Sequence, residues 1–371
     1  VSLFDPAPVL VQPYFGWRST DRLTISGRAL RRRRTATFEK TGRVRAMRTM
    51  IEQFASREVA GLEVRLELKG PDGTVIERRA VSDGEGYVHF DVALDPHWPL
   101  EADPAWEIAL MHWVAPEGPQ CAEAYVLAPG TVTKLAVISD IDDTIVETGI
   151  TGGPRAILRN WRRVVAQLPA ERIAVPGADG FYGAIGGGAV VVAPEATDKD
   201  RAGAHFAATH RPFFYVSSSP WNLFQYLVAF QQSRNLPLGP LLLRDWGLNR
   251  ATFGSASHGD HKRGALDRLL SFYPAMRFAL IGDDTQGDLP AYAATVEANP
   301  GRIAAVFIRT GAGPLSPEEL AGKAAIEAAG VPLWLGDDFA TGAEFLRANG
   351  ISTAGETAQI VKTVQTKEPE A

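Results

Sequence analysis

Apolar and polar positions follow two different rhythms along the chain. From Gly61 the rhythm has a period of two: Leu62, Val64, Leu66 and Leu68 alternate with polar residues, Pro71-Asp72-Gly73 marks a turn, and Val75 to Val81 returns. Successive side chains of a strand point to opposite faces, so this reads as a β-hairpin with one buried face. Further strands are predicted over Tyr87 to Leu94, after the Ser82-Asp83-Gly84 turn, and over Trp106 to Val114 and Ala122 to Leu127. Short strands at such spacing predict a β-sandwich-like N-terminal domain. Pro129-Gly130 then breaks the pattern, which sets a boundary at residue 132.

The second rhythm consists of short, continuous apolar runs separated by helical stretches: Leu135 to Ser139, Phe213 to Val216, Leu241 to Leu243, Phe278 to Ile281 and Ala304 to Ile308. Strands covered on both faces lose the alternation, so this half predicts an α/β domain with a parallel, Rossmann-like sheet over 133–352. The polar residues that end these runs then lie at the carboxyl edge of the sheet, where open α/β folds bind ligands. A polar tail from 353 to 371 is expected to add no element.

Charge changes this picture at one place. The chain has 38 Lys and Arg against 43 Asp and Glu, yet Arg28 to Arg57 carries ten cations and only Glu39 and Glu52 as acids. Within it Val44, Met47, Ile51 and Phe54 recur at helical spacing between Arg43, Arg45 and Arg48, which predicts a basic amphipathic helix. Such a helix either packs one face on its own domain or meets an anionic membrane surface. The charge-free stretch Phe213 to Ser233 contains three serines followed by Pro220, and three glutamines, too polar for a bilayer core. The single cysteine, Cys121, excludes a disulfide framework and a Cys-rich zinc module. With no signal-peptide pattern in Val1 to Leu10, a cytoplasmic location with peripheral contact at membranes is expected. No nucleic-acid motif is present.

The densest chemistry is Ser139-Asp140-Ile141-Asp142-Asp143-Thr144, directly after an apolar run. Adjacent carboxylates repel one another unless a cation neutralises them, and a hard cation such as Mg²⁺ suits oxygen ligands. Asp140 at the strand end can serve as metal ligand and nucleophile, and Asp142 as general acid and then base. The plainer alternative is an Asp-rich turn that caps the next helix. Three later segments fit the first reading. Ser217 follows Phe213 to Val216, with Ser218 and Ser219 as alternatives for binding a phosphate oxygen; Lys262 lies just before a predicted helix; and Gly282-Asp283-Asp284-Thr285-Gln286-Gly287-Asp288 follows the run ending at Ile281. Asp283 or Asp284 would supply a second metal carboxylate, Asp283 being favoured by register, with Asp288 as its orienting neighbour. Gly336-Asp337-Asp338 imitates this last motif but comes too late in the order, so helix capping is expected of it. Arg244 and Arg309, near predicted strand ends, either read a lipid phosphate or form structural ion pairs. Trp221, Trp246 and Phe224 are expected in the core, with an acyl-chain groove as the alternative.

In Asp140/Asp142/Thr144, Ser217, Lys262 and Asp283/Asp288 the chain resembles the haloacid-dehalogenase-like phosphatases. The string Phe214 to Leu223, the segment Leu243 to Trp246, and Ile308-Arg309 resemble, within that superfamily, the actin-patch-protein type of phosphatidate phosphatase catalytic domain. The likeness runs from about Lys134 to Gly350, with a weaker one at Tyr14-Phe15-Gly16 and Leu23 to Leu30. The resemblance implies Mg²⁺-dependent hydrolysis of phosphatidate to diacylglycerol and phosphate through an aspartyl-phosphate on Asp140, with Mg²⁺ on Asp140, the Asp142 carbonyl and Asp283. The chain departs from that pattern by extra residues over about Gly186 to Ala204, a candidate lid. A soluble phosphomonoester or phosphoprotein is the alternative substrate, and a non-catalytic binding module the alternative of another class.

Overall fold

The computed structural model describes residues 7–31, 57–141, 144, 175, 177–188, 208–244, 258–285, 287–311 and 313–351. The β-rich half contributes nine strands: β1 (Val9–Pro13), β2 (Gly16–Arg18), β3 (Arg22–Arg31), β4 (Arg57–Glu58), β5 (Glu63–Lys69), β6 (Val75–Val81), β7 (Tyr87–Ala93), β8 (Ala105–Ala115) and β9 (Gly118–Ala128). All nine belong to one mixed hydrogen-bonded sheet. β3 is its hub, paired with β1 and β2 along one edge and with β7 and β4 along the other. β2 also runs parallel to β9, which ties this group to the β9-β8-β5-β6 meander.

The alternation read from the sequence is the burial pattern of β5, where Val64, Leu66 and Leu68 face a core shared with Ile25 of β3, Phe90 of β7 and Met111 of β8. The alternation rule is silent at β3, because that strand is buried at seven of ten positions. Its basic end is correspondingly internal. Arg28, the first residue of the cationic segment, is 7% exposed, lies 4.5 Å from the Tyr87 ring centre and pairs with Glu58, so it belongs to the fold and not to a membrane-facing surface. The amphipathic stretch from Lys40 to Phe54 lies outside the described residues.

The second half forms a six-stranded, wholly parallel sheet of β10 (Leu135–Asp140), β11 (Phe213–Pro220), β12 (Leu241–Arg244), β13 (Arg277–Asp283), β14 (Ile303–Arg309) and β15 (Leu333–Gly336). Its order is β12-β11-β10-β13-β14-β15. The chain starts at the centre, builds outward to one side and then returns to build the other. Helices cover both faces. α1 (Ala178–Gly186), α2 (Phe224–Ser233) and α6 (Phe339–Ala348) share one core with Val137, Tyr215 and Phe307, while α3 (His258–Phe272), α4 (Asp288–Ala298) and α5 (Pro317–Ala328) share another with Ile138, Val216 and Leu280. This double cover is why the strands read as unbroken apolar runs. α5 opens with a capping box between Ser316 and Glu319, and Asp338 caps α6 through Ala340 N–H at 2.8 Å, the role expected of the late Gly-Asp-Asp string.

The two sheets pack through aromatic side chains. Tyr14 stacks on Trp221 at 4.2 Å and meets Phe224 edge-on at 4.9 Å; Trp17 meets Phe214 at 6.2 Å. Polar contacts lock the same seam: Arg28 donates to Asn222 Oδ1, and Tyr273 OH donates to the Arg18 carbonyl at 3.0 Å. Phe224 is buried and Trp221 half-buried here; Trp246 lies outside the described residues.

Candidate active site

β10 and β13 are neighbours, and the order of the sheet reverses between them. At that point adjacent connections leave in opposite directions, which opens a crevice at the carboxyl ends of the strands. Asp140 ends β10, Asp283 ends β13, Asp288 begins α4, and Lys262 lies in the second turn of α3. The helix starts earlier than the sequence suggested, at His258, so Lys262 is fixed by the helix and not by a preceding loop.

The four side chains form one buried cluster. Lys262 Nζ lies 2.9 Å from Asp140 Oδ1 and also pairs with Asp288 Oδ1, and all three side chains are at most 1% exposed. The Thr144 hydroxyl bridges Asp140 Oδ2 at 3.3 Å and Asp283 Oδ2 at 3.2 Å. The second Asp288 oxygen accepts from Asp283 N–H at 3.1 Å. Gly282 is required for this arrangement, since a Cβ there would lie 2.2 Å from Asp288 Oδ2. Asp140, Asp283 and Asp288 each place a carboxylate oxygen within 4.8 Å of the others. Asp284 turns away and accepts from Gly311 N–H at 3.0 Å, which selects Asp283 as the carboxylate that joins the cluster.

Electrostatics follow from burial. Desolvation works to lower the Lys262 ammonium, but Asp140, Asp288 and Asp283 outweigh it and hold that group above its ordinary value. Burial and the Asp288 carboxylate push the Asp283 carboxyl up to about 7, against the opposing pull of Lys262 and the Thr285 hydrogen bonds. With all three carboxyls ionised, the Asp140, Asp283 and Asp288 carboxylates and the Lys262 ammonium sum to a net charge of minus two. An all-oxygen donor set with that net charge fits a hard divalent cation.

Ser217 is fully buried near the end of β11, where its Oγ accepts from Ser219 N–H at 2.9 Å; Ser218 is 5% exposed. Arg244 ends β12, and Arg309 ends β14 directly across from Asp283 in the strand pairing. Asp142 and most of the 186–204 insertion lie outside the described residues. Motif reading did not find the braces behind the cluster. Ser139 Oγ donates to the Asp140 carbonyl at 2.7 Å and lies 2.6 Å from the buried Tyr182 hydroxyl, while Thr285 donates to Asp283 Oδ1 through its backbone N–H and its hydroxyl, the latter at 2.6 Å. Thr285 sits within the Gly-Asp-Asp-Thr string and was open to detection; nothing local marks Tyr182.

Residues 135–310 match the family described as phosphatidate phosphatase APP1, catalytic domain. Phosphatidate phosphatase APP1 of Saccharomyces cerevisiae is 29% identical over 224 residues, covering 59% of this chain and 30% of the yeast protein. An uncharacterised protein of Schizosaccharomyces pombe is 24% identical over 276 residues, covering 73% of this chain and 40% of that protein. The matched stretches thus span less than half of either relative. The resemblance to the actin-patch-protein type of phosphatidate phosphatase catalytic domain, carried by Phe214 to Leu223, Leu243 to Trp246 and Ile308-Arg309, is borne out by the family match and the yeast relative. Among solved structures, a Bifidobacterium dentium β-glucuronidase in complex with coumarin-3-O-glucuronide is 10% identical, covering 89% of this chain and 60% of that chain at a TM-score of 0.27, too low to carry an argument.

Proposed function

We propose that the chain is a Mg²⁺-dependent phosphatidate phosphatase. Its 133–352 half would be a haloacid-dehalogenase-like catalytic domain and its first 132 residues a sandwich-like domain packed against it. The observation that carries the reading is the buried Lys262, Asp140, Asp288 and Asp283 cluster at the switch point of the parallel sheet, within the stretch that matches the phosphatase family.

Asp140 attacks phosphorus through a carboxylate oxygen, the bond from phosphorus to the glycerol oxygen breaks, and that oxygen takes a proton from Asp142. Asp142 then removes a proton from water, which attacks the aspartyl-phosphate and releases inorganic phosphate and free Asp140. Lys262 and the Ser217 segment stabilise the phosphoryl oxygens, Asp288 holds Lys262, and Thr144 aligns Asp140 with Asp283. Asp140, Asp283 and the Asp142 carbonyl would hold Mg²⁺, which when bound neutralises the carboxylates and the phosphoryl charge. Arg244 and Arg309 flank the crevice as further candidates for the lipid phosphate. The substrate resides in a bilayer, and among the described residues no helix is long and apolar enough to cross one. The reading therefore includes a cytoplasmic protein that docks reversibly on anionic membranes through the cationic residues after Arg31.

The test is Mg²⁺-dependent phosphate release from phosphatidate in mixed micelles, beside water-soluble phosphomonoesters, for the wild type, Asp140→Asn and Asp142→Asn. Release from phosphatidate that is lost in both variants supports the proposal. Release from soluble esters alone would keep the mechanism and overturn the substrate; release from neither would leave a binding module.

A further inference from the structure

A cavity of about 320 Å³ lies between the β2–β3 hairpin, β12 and α3. One wall is α3, through His261, Gly264, Ala265 and Arg268. That spacing places the four on one stripe of the helix. Lys262 leaves α3 on the neighbouring face and enters the carboxylate cluster. The facing wall comes from Tyr14 and Trp17, and the edge nearest Ser217 from Trp221 and Leu243. The His261 ring is hydrogen-bonded to the main chain of Leu242 and Ser217, so it stands between the cavity and the strand end that carries Ser217.

The polar lining is largely satisfied from within. Arg268 Nη2 donates to Thr24 Oγ1 at 3.0 Å with its guanidinium 5.1 Å from the Trp17 ring centre, and Ser26 Oγ lies 2.8 Å from His89 Nδ1. The remaining surface is aromatic and aliphatic, which suits an apolar ligand. One buried ring nitrogen of the lining, Trp17 Nε1, has no partner. An indole N–H can only donate, so it calls for a ligand oxygen that accepts. Gly264 adds a separate observation. Glycine disfavours a helix interior, yet a Cβ at this position would meet no atom within 4 Å. Packing among the described residues gives no reason for glycine there, and its absent side chain keeps the cavity open.

We propose that this cavity receives one acyl chain of the lipid phosphate, with the ester oxygen accepting from the unpartnered Trp17 indole N–H, and thereby sets chain-length preference. The proposal rests on the lipid-phosphatase reading. In phosphatidate the ester lies a few bonds from phosphorus, and the cavity lies beside the helix and the strand that carry Lys262 and Ser217.

The experiment uses the full chain as wild type, Gly264→Ala and Gly264→Leu. It measures kcat/KM on phosphatidates with four-carbon and eight-carbon chains and on p-nitrophenyl phosphate, and also tryptophan quenching by a monomeric phosphatidate with a spin-labelled acyl chain. In the wild type, kcat/KM should rise with chain length and the labelled lipid should quench. Filling the cavity in Gly264→Leu should lower kcat/KM on the eight-carbon substrate about tenfold, the scale of a methylene misfit in an apolar pocket. Quenching should weaken in parallel, while p-nitrophenyl phosphate turnover stays within about twofold, as expected where transition-state contacts are untouched. Equal losses on all substrates, or quenching and chain preference unchanged in a folded Gly264→Leu, would overturn the cavity assignment and leave the phosphatase reading standing. Absence of phosphatidate turnover in the wild type would instead defeat the reading beneath it, and quenching that Gly264→Leu does not weaken would then dispose of the cavity as well.

Discussion

Raising the pH should destabilise the metal-free protein through one buried carboxyl. Asp283 is lifted from an ordinary 3.8 to about 7 by burial and by Asp288. A carboxyl with a raised folded-state value contributes stability that is complete below its unfolded value and is lost as pH climbs through the folded value. Keeping Asp283 ionised above pH 7 therefore costs about 4 kcal/mol, of which roughly 3 kcal/mol falls between pH 5 and pH 8. The perturbation is Asp283→Asn, which removes the charge and keeps an oxygen for the Thr285 bonds. Urea unfolding in EDTA at both pH values should show a wild type that loses stability more steeply than the variant, with the variant the more stable at pH 8. Added Mg²⁺ at pH 8 should raise the wild-type midpoint and leave the variant nearly unmoved, because the cation needs the carboxylate that was removed. Equal pH slopes, or a variant less stable than wild type at pH 8, would refute the argument that the cluster carries net negative charge.

Three further outcomes are expected. Lys262→Met should abolish phosphate release and lower metal-free stability by about 3–5 kcal/mol in denaturant titration, because it strands Asp140 and Asp288 without their shared cation. Tyr14→Ala, which removes the stack on Trp221 and the edge contact with Phe224, should cost about 3–5 kcal/mol in thermal unfolding and lower turnover on every phosphoester, lipid or soluble. Flotation of the full chain with anionic vesicles should weaken as salt rises and on replacing Arg32, Arg33 and Arg34 by Gln, whereas equal binding to neutral vesicles would contradict electrostatic docking.

The hydrophobic pattern determined a great deal here without help. Period-two stretches became β5 to β9, and continuous apolar runs became β10 to β14, because backbone geometry links each rhythm to the number of faces a strand must bury. The chemistry was legible for a related reason. In a parallel α/β sheet the active residues follow directly on strand ends, so Asp140, Ser217 and Asp283 are marked by local sequence. Contacts between distant segments were not legible. β3 shows no alternation because neighbours cover both its faces, so only the tertiary structure identifies it as the hub and Arg28 as an internal residue. Which of two adjacent carboxylates joins the cluster was likewise decided by packing: Gly282 lets Asp288 close on Asp283, and the Gly311 N–H draws Asp284 away. Tyr182 behind Ser139, and the cavity between Trp17 and Gly264, bring together segments far apart in the chain. Residue type and spacing specify what each segment can do, but which groups share a dry, low-dielectric space is fixed only when the sheets pack.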